Sequence, residues 1–482
     1  MRRVAREGLM NVLLVRPRPH KDTVNLQSFM LCEPLELEYV AARVEQLGHH
    51  ADIVDLILES KPLEYFLSQK DYAVLGITAY LPHVRIVREM AAAAKRHCPG
   101  IVTLVGGVHA EVLPEDFADD AVDFILRDNA LATLEPLLAA LEEDRAGGRS
   151  GTADHAERLA SIRGRLAGVW APGRERCPAV TEFAFSLPDR SKTLKYRHKY
   201  SYGFHNHCAS LKTSFGCPYS CEFCFCISIT QRTYYERELT EVMDELETIR
   251  ETNIFIVDDN FLLRRERVLE FCRLLRERGI KKNYILFGRA DFVAANRDVM
   301  VALRDVGLQA VFVGVESFRG RDLEQVEKRC TVDVNVAAMH LIEELGMHCY
   351  SGLLAWPDWT RGDFDDLIAF LKTFKRPIFN LQPITPIPGT AFYEKVKDKV
   401  AVPREQYHLW DLAHQLFTPK HMGVEEFYRN ILRVYYSTSS TPRMHWYILR
   451  KCGFGAYLRT LRGTFLITLQ YLRLGWGRGT GV

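Results

Sequence analysis

The sequence predicts an α/β protein: an N-terminal doubly wound, Rossmann-like sheet, then a partial (β/α) barrel, then a helical C-terminal region. Three observations carry this. Short runs rich in Val, Ile and Leu alternate with helix-length segments, the alternation stops near residue 145, and it restarts after Leu211. Strands joined by helical crossovers form parallel sheets covered on both faces, so they read as apolar runs. With 482 residues, 47% hydrophobic and 26% charged, the chain has material for two or three domains.

Taken in order, Val12 to Val15 is the first strand, Leu35 to Leu47 a helix ended by Gly48, and Asp52 to Leu56 the second strand. Strands Tyr72 to Ile77 and Ile101 to Val105 flank a helix from Val84 to His97, which Pro99 and Gly100 stop. Phe124 to Leu126 completes this unit, placed at residues 10–145. Residues Asp144 to Arg165 are rich in Gly, Arg, Asp, Ser and Ala without periodicity, so a linker is expected over 146–205. The barrel is expected over 206–400, with strands at Ile254–Val257, Tyr284–Phe287, Val311–Val315, Cys349–Leu354 and Asn380–Ile384. Residues 401–482 are expected to be mainly helical.

Lysine and arginine number 63 against 61 acids, a formal charge of +2, which argues against nucleic acid as a partner of the whole chain. The charge is unevenly placed. From His421 to Val482 eight arginines and Lys451 face only Glu425 and Glu426. Trp446, Tyr447, Phe454, Tyr457, Phe465, Tyr471 and Trp476 are interleaved with these cations, a pattern that suits packing on another domain or a lipid headgroup boundary. The first apolar run is too short for a signal-peptide core and no 18-residue apolar stretch follows, so a cytoplasmic protein is expected, membrane-associated at its surface if at all.

Twelve cysteines in such a chain point to metal ligands or small buried hydrophobes rather than a disulfide framework. Their density peaks between Thr213 and Cys224, where Cys217, Cys221 and Cys224 fall at spacings of four and three. Three thiolates from one loop can each bind one iron of a 4Fe-4S cube, leaving the fourth iron open to a small molecule. Structural zinc is the alternative, and it needs a fourth ligand that Cys226 or Cys208 can supply. His198, His205 and His207 with Cys208 make a weaker grouping, read more simply as the connection into the first barrel strand.

The pattern Cys-x-x-x-Cys-x-x-Cys, opened by Gly216-Cys217-Pro218 and with Phe223 before its last cysteine, resembles the signature of radical S-adenosylmethionine enzymes. The resemblance covers roughly residues 206–400. It implies that Cys217, Cys221 and Cys224 hold a 4Fe-4S cluster whose open iron chelates S-adenosylmethionine. It also implies a reducing electron donor, since one electron splits the sulfonium to a 5′-deoxyadenosyl radical. Cofactor contacts are implied at the strand ends. Asp258 and Asp259, in Val257-Asp258-Asp259-Asn260-Phe261, stand where Gly-Gly-Glu is commoner, and carboxylates suit an ammonium. Arg289 in Gly288-Arg289-Ala290-Asp291 can pair with a carboxylate through two parallel hydrogen bonds. Glu316 in Gly314-Val315-Glu316-Ser317 is expected to accept from a ribose or from backbone, and Gln382 to Thr390 closes the sixth strand in a similar segment.

In the first unit, Pro34-Leu35-Glu36-Leu37, Gly76-Ile77-Thr78 and Gly106-Gly107-Val108-His109 resemble the cobalamin-binding domains that precede many radical S-adenosylmethionine methylases and cyclases. Glycines at strand ends let a bulky corrin and its nucleotide tail approach, which makes Thr78 and Gly107 the expected contacts. The loop Arg16-Pro17-Arg18-Pro19-His20-Lys21-Asp22 lacks the Asp-x-His-x-x-Gly pattern that places a histidine below cobalt. Either cobalt has no histidine below it or the domain binds no cobalamin; His20 and His109 are the remaining candidates. The expected function is cobalamin-dependent methylation of an unactivated carbon in a small-molecule or lipid-like substrate. Such a carbon has no lone pair to attack a sulfonium, so a radical must form first. A radical cyclase or rrearrangement enzyme is the second reading, and a non-catalytic iron-sulfur or zinc-binding protein the third.

Overall fold

The computed structural model describes residues 9–146, 152–177, 186–325, 327–328, 330–477 and 479. The chain forms two compact units. The first runs to Thr23 and again from Pro34 to Tyr196; the second comprises Val24–Glu33 and the chain from Arg197 onward.

The first unit is a five-stranded sheet of β1 (Asn11–Arg16), β2 (His50–Asp55), β3 (Val74–Thr78), β4 (Val102–Gly106) and β5 (Phe124–Ile125), in the order β2-β1-β3-β4-β5. Every pairing is parallel. Helices α1 (Leu35–Gln46), α2 (Val84–His97) and α3 (Ala130–Ala146) make crossovers, and Val12, Leu14, Leu37, Ile53, Leu104, Leu134 and Leu137 share one core. The strand order reverses between β1 and β3. In doubly wound sheets ligands bind beyond the carboxyl edge at such a point. Thr78 ends β3 there, and Gly107 follows β4 with φ +101°. A Cβ on Gly107 would lie 2.7 Å from the Ala79 nitrogen and 2.8 Å from Thr78 Oγ1, so only glycine lets these strand ends meet.

The expected linker is largely ordered structure. Helix α4 (Thr152–Arg165) buries Leu159 and Ile162 in the first core, and the unit continues to Tyr196 rather than ending near residue 145. Two apolar positions three residues apart are enough to dock a helix on an existing core, but too few to show as periodicity among Ala, Gly and Arg. Residues 147–151 and 178–185 of that stretch lie outside the described residues.

The second unit carries six parallel strands: β6 (Cys208–Leu211), β9 (Asn253–Ile256), β10 (Asn283–Gly288), β11 (Leu308–Glu316), β12 (His348–Ala355) and β13 (Ile378–Pro383). They pair in sequence order, the topology of a partial barrel, and β7 (Ser214–Gly216) and β8 (Tyr234–Glu236) form a separate hairpin. Helices α5 (Cys226–Thr230), α6 (Leu239–Thr248), α7 (Arg265–Glu277), α8 (Arg297–Asp305), α9 (Val332–Glu344) and α10 (Arg361–Lys372) follow in order. Sequence marks their starts: Thr331 caps α9, and Thr360 with Asp363 forms a capping box on α10.

Alternation along the strands separates two apolar layers. Ile254, Ile256, Leu286, Val311, Val313, Leu353 and Leu381 pack on the helices, while Phe255, Ile285, Ala310 and Tyr350 face the inner side. There an aromatic row crosses four strands: Phe255 to Phe287 at 5.2 Å, Phe287 to Phe312 at 5.1 Å and Phe312 to Tyr350 at 6.4 Å between ring centres. Helices α11 (Val424–Thr438) and α12 (Pro442–Gly475) complete the unit, and Phe427, Tyr428, Ile431, Tyr471 and Leu474 join its outer core. A strand at Met30–Leu31 pairs with Ser201–Tyr202, and buried Glu33 accepts from Arg197 Nη1 and the Ser210 nitrogen, each at 2.5 Å.

Two buried imidazoles sit at the foot of this unit. His348 of β12 shares a hydrogen bond with the Tyr447 hydroxyl of α12 at 2.8 Å, and His205 lies 6.2 Å from it, ring to ring. Burial, and then neighbouring positive charge, lowers His348 to about 3, and burial lowers His205 to about 4. Between those values and 6.5 the unfolded chain binds more protons than the fold. The second unit is therefore expected to be fully stable above pH 6.5 and to lose roughly 3 kcal/mol per imidazole as pH falls toward 4. Urea midpoints measured between pH 4 and 7.5 check this, and His348→Gln should flatten the slope. In the first unit, Gly107→Ala is expected to cost about 1–3 kcal/mol in urea unfolding because of its left-handed backbone and the contact with Ala79.

Candidate functional site

The cysteine loop is built from the sheet outward. Strand β6 delivers Lys212 and Thr213 into β7, which ends at Gly216 with φ +81°. A Cβ there would lie 2.1 Å from the Thr233 carbonyl oxygen, so the hairpin closes only on glycine. Buried Arg237 fixes the base: its Nη1 donates to the Lys212 carbonyl and to Glu245 of α6, both at 2.7 Å.

Two adjacent carboxylates after β9 then hold the loop. Asp258, 1% exposed, accepts from the Thr213 nitrogen at 2.6 Å, Thr213 Oγ1 at 2.5 Å and Ser214 Oγ at 2.8 Å. Burial raises its pKa, against the lowering effect of Lys212 and these donors. Asp259 accepts from the Gly216 nitrogen at 2.9 Å, Lys212 Nζ at 3.3 Å and the Cys226 thiol at 3.2 Å. Burial works to raise its pKa, yet Lys212 and these donors bring it below the ordinary value. Both carboxylates thus position β7 and the cysteine loop.

Cys217, Cys221 and Cys224 are all part-exposed, and the Cys224 nitrogen donates to the Cys221 carbonyl in a tight turn. Burial raises the thiols of Cys217 and Cys221, with Arg289 and Lys328 opposing it at Cys221. Cys224 is lowered, chiefly by the adjacent Cys226 thiol, whose single hydrogen lies between Cys224 and Asp259. Cys208 has a different setting: it is buried with Tyr202, Phe255 and Tyr350 on the inner face.

The remaining strand-end residues are partnered too. Arg289 pairs with Asp291 at 2.8 Å and stacks its guanidinium 3.7 Å above the Tyr219 ring, which braces the loop. Glu316 sits at a register shift with φ +63° and pairs with Lys328 at 3.0 Å. Pro218, Tyr219, Ser220, Cys221, Arg289, Glu327 and Lys328 line a cavity of about 80 Å³. A larger cavity, near 580 Å³, lies at the opposite edge of the sheet by Thr252, Asn283 and Gly307, away from these residues.

Asn260 follows the two carboxylates in the same segment. It is 2% exposed, and neither side-chain Oδ1 nor Nδ2 has a partner in the described structure. A buried amide in that state costs free energy unless a ligand satisfies it. Lys328 and Lys212 are not evident from sequence, because neither lies in a recognisable motif.

In the first unit Thr78 is buried and its hydroxyl donates to Glu36 at 3.3 Å, beside Gly107. Burial raises Glu36, and Arg16 opposes it. His109 is held to Asp116 at 2.8 Å and packs edge-on to Phe117.

The family model described as the Radical SAM superfamily matches residues 211–371, and that described as the B12 binding domain matches 23–138. The hopanoid C-3 methylase of Methylococcus capsulatus is 30% identical over 432 residues, 88% of this chain and 79% of the relative. An anaerobic magnesium-protoporphyrin IX monomethyl ester cyclase from Rubrivivax gelatinosus is 22% identical over 82% of this chain and 71% of its own length. Among solved structures, the cobalamin-dependent S-adenosylmethionine radical enzyme OxsB superposes with a TM-score of 0.66 at 14% identity, over 97% of this chain and 72% of that one, a likeness of fold. A methylase of that identity matched over most of both chains, together with the two domain matches, places this protein in the family of radical S-adenosylmethionine enzymes that carry a B12-binding domain.

Proposed function

We propose that this enzyme methylates an unactivated carbon of an apolar, lipid-like molecule, with cobalamin as methyl carrier. One observation carries the reading: a three-thiol loop is tied to the carboxyl edge of a partial barrel whose inner face is lined with aromatic rings. Cys217, Cys221 and Cys224 would hold the 4Fe-4S cluster, and Thr78 and Gly107 would border cobalamin at the switch point of the first sheet. When bound, the cluster with S-adenosylmethionine supplies a 5′-deoxyadenosyl radical and cobalamin supplies a methyl group.

The chain's own residues hold, orient and shield. Arg289 and Lys328 set positive charge beside Cys221, and Cys226 stabilises the Cys224 thiolate, both favourable to anionic sulfur ligands. The buried amide of Asn260 offers one donor and one acceptor, which fits the amino-acid end of S-adenosylmethionine. Half-buried Phe287 and Phe312 offer ring faces to an apolar substrate and keep water from a carbon radical. The relative named for a hopanoid supports a substrate of that class. The cyclase relative supports ring formation as the second reading. His109, committed to Asp116, is not assigned to cobalt.

Anaerobic reconstitution with iron, sulfide and cobalamin, then incubation with S-adenosylmethionine and a hopanoid, is expected to give a product heavier by one methylene, about 14 Da. A product of unchanged carbon count would favour ring formation. Cys217→Ala, Cys221→Ala and Cys224→Ala should each abolish the iron chromophore, whereas Cys226→Ala should keep most of it. Asn260→Leu is expected to leave thermal stability equal or higher, because an unmet amide is removed, and to weaken S-adenosylmethionine binding by about 1–3 kcal/mol in equilibrium dialysis.

A further inference from the structure

The basic aromatic end of the chain is not used by the proposed chemistry. Helix α12 is broken at Gly453, where φ is +84° and ψ 166°, so a separate helix runs from Phe454 to Gly475. Phe454, Leu458, Leu461, Phe465, Leu469, Leu472 and Trp476 recur along it at steps of four and three, which puts them in one stripe about 33 Å long. Phe454, Phe465 and Trp476 are 66%, 61% and 67% exposed, and Leu458 and Leu469 are exposed as well.

The opposite face does the packing. Ala456, Gly463, Tyr471 and Leu474 are buried, and a Cβ on Gly463 would come within 3.0 Å of Phe29. Arg459 donates from Nη2 to the Gly203 carbonyl at 2.9 Å. Tyr471 and Leu474 anchor this helix to the core, yet Phe454, Leu458, Phe465, Leu469 and Trp476 stay exposed on its other face, an apolar surface larger than single scattered side chains would leave.

Charge selects the occupant of that stripe. Between Pro442 and Gly475 there are six basic residues, Arg443, Arg450, Lys451, Arg459, Arg462 and Arg473, and no acid. All but Arg459 are exposed. A second copy of the helix would set arginine against arginine along the stripe, while anionic headgroups meet the cations and acyl chains meet the rings. No helix among the described residues is long and apolar enough to cross a membrane, so the helix would lie in the interface.

We propose that residues 454–476 form an interfacial anchor that seats the enzyme on anionic lipid bilayers. The inference rests on exposure and charge alone and does not depend on the reaction, so its failure would leave the methylase reading standing.

The test uses the purified full chain without added cofactors, in co-sedimentation with phosphatidylcholine vesicles containing phosphatidylglycerol. The wild type is expected to bind at low ionic strength and to bind about tenfold more weakly in about 0.5 M NaCl or to pure phosphatidylcholine. Phe454→Ser with Phe465→Ser should reduce binding about tenfold while elution volume and circular dichroism stay unchanged, since both rings are exposed. Arg462→Gln with Arg473→Gln should weaken it severalfold and reduce the salt dependence. The anchor is overturned if the wild type fails to bind phosphatidylglycerol vesicles or if the Phe double variant binds as well as the wild type. It is equally overturned if light scattering shows a dimer that the Phe substitutions dissociate.

Discussion

Two neighbouring carboxylates at the end of one strand hold the proposed chemical centre in place. Asp258 fastens Thr213 and Ser214, and Asp259 fastens Gly216, Lys212 and Cys226, so the hairpin that leads into the cysteines is tied to the sheet at both its entrance and its turn. At Asp259 the converging donors and Lys212 outweigh the cost of burying charge, whereas at Asp258 they offset it only in part. The three-thiol loop packs through Phe223 and Tyr219 and is tied at Glu222 to Phe392 and Lys395. Its base is fixed by the carboxylates after strand β9 and by the Arg237–Glu245 pair beneath Lys212. The same logic extends to Arg289, which spends its guanidinium on Asp291 and Tyr219 and so steadies the loop from the next strand.

How far the sequence could be read divides along the line between local and distant interactions. The strands and most helices were evident from apolar runs and stop signals; the helix from Val84 to His97 is observed with those bounds. The three cysteines were evident because their spacing lies within eight residues. The partners of Asp258, Glu316 and Arg289 were not. Lys328 reaches Glu316 across twelve residues with no motif of its own, and Asp258 meets Thr213 across forty-five. Their positions at strand ends suggest ligand contact, and the fold adds protein partners that sequence spacing does not announce. Asn260 shows the converse, a residue whose importance appears only when its neighbours fail to satisfy it. Helix α4 escaped notice for a related reason, since its two apolar anchors make sense only against the core that receives them.

The two sheets solve the problem of approach in different ways. In the first, glycine after β4 lets strand ends close on each other at the reversal of strand order, where a ligand has backbone to contact. In the second, strands follow one another without reversal, and the inner surface is filled by a continuous row of rings. A sheet that presents aromatic faces inward and carboxylate-braced loops at its rim separates an apolar inner surface from a polar edge.

The strand at Met30–Leu31 and Glu33 give the chain an unusual genealogy of parts. The ten residues that belong to the second unit are spliced between the first strand and first helix of the other sheet, so the polypeptide passes between units at three points. Cutting the gene at residue 196 would not release an independent catalytic module. It would strip Arg197 and the Ser210 amide of the carboxylate that neutralises them and delete a strand partner. These two halves therefore cannot be exchanged as cassettes, and any recombination between relatives has to carry the inserted segment along with the distant half it serves.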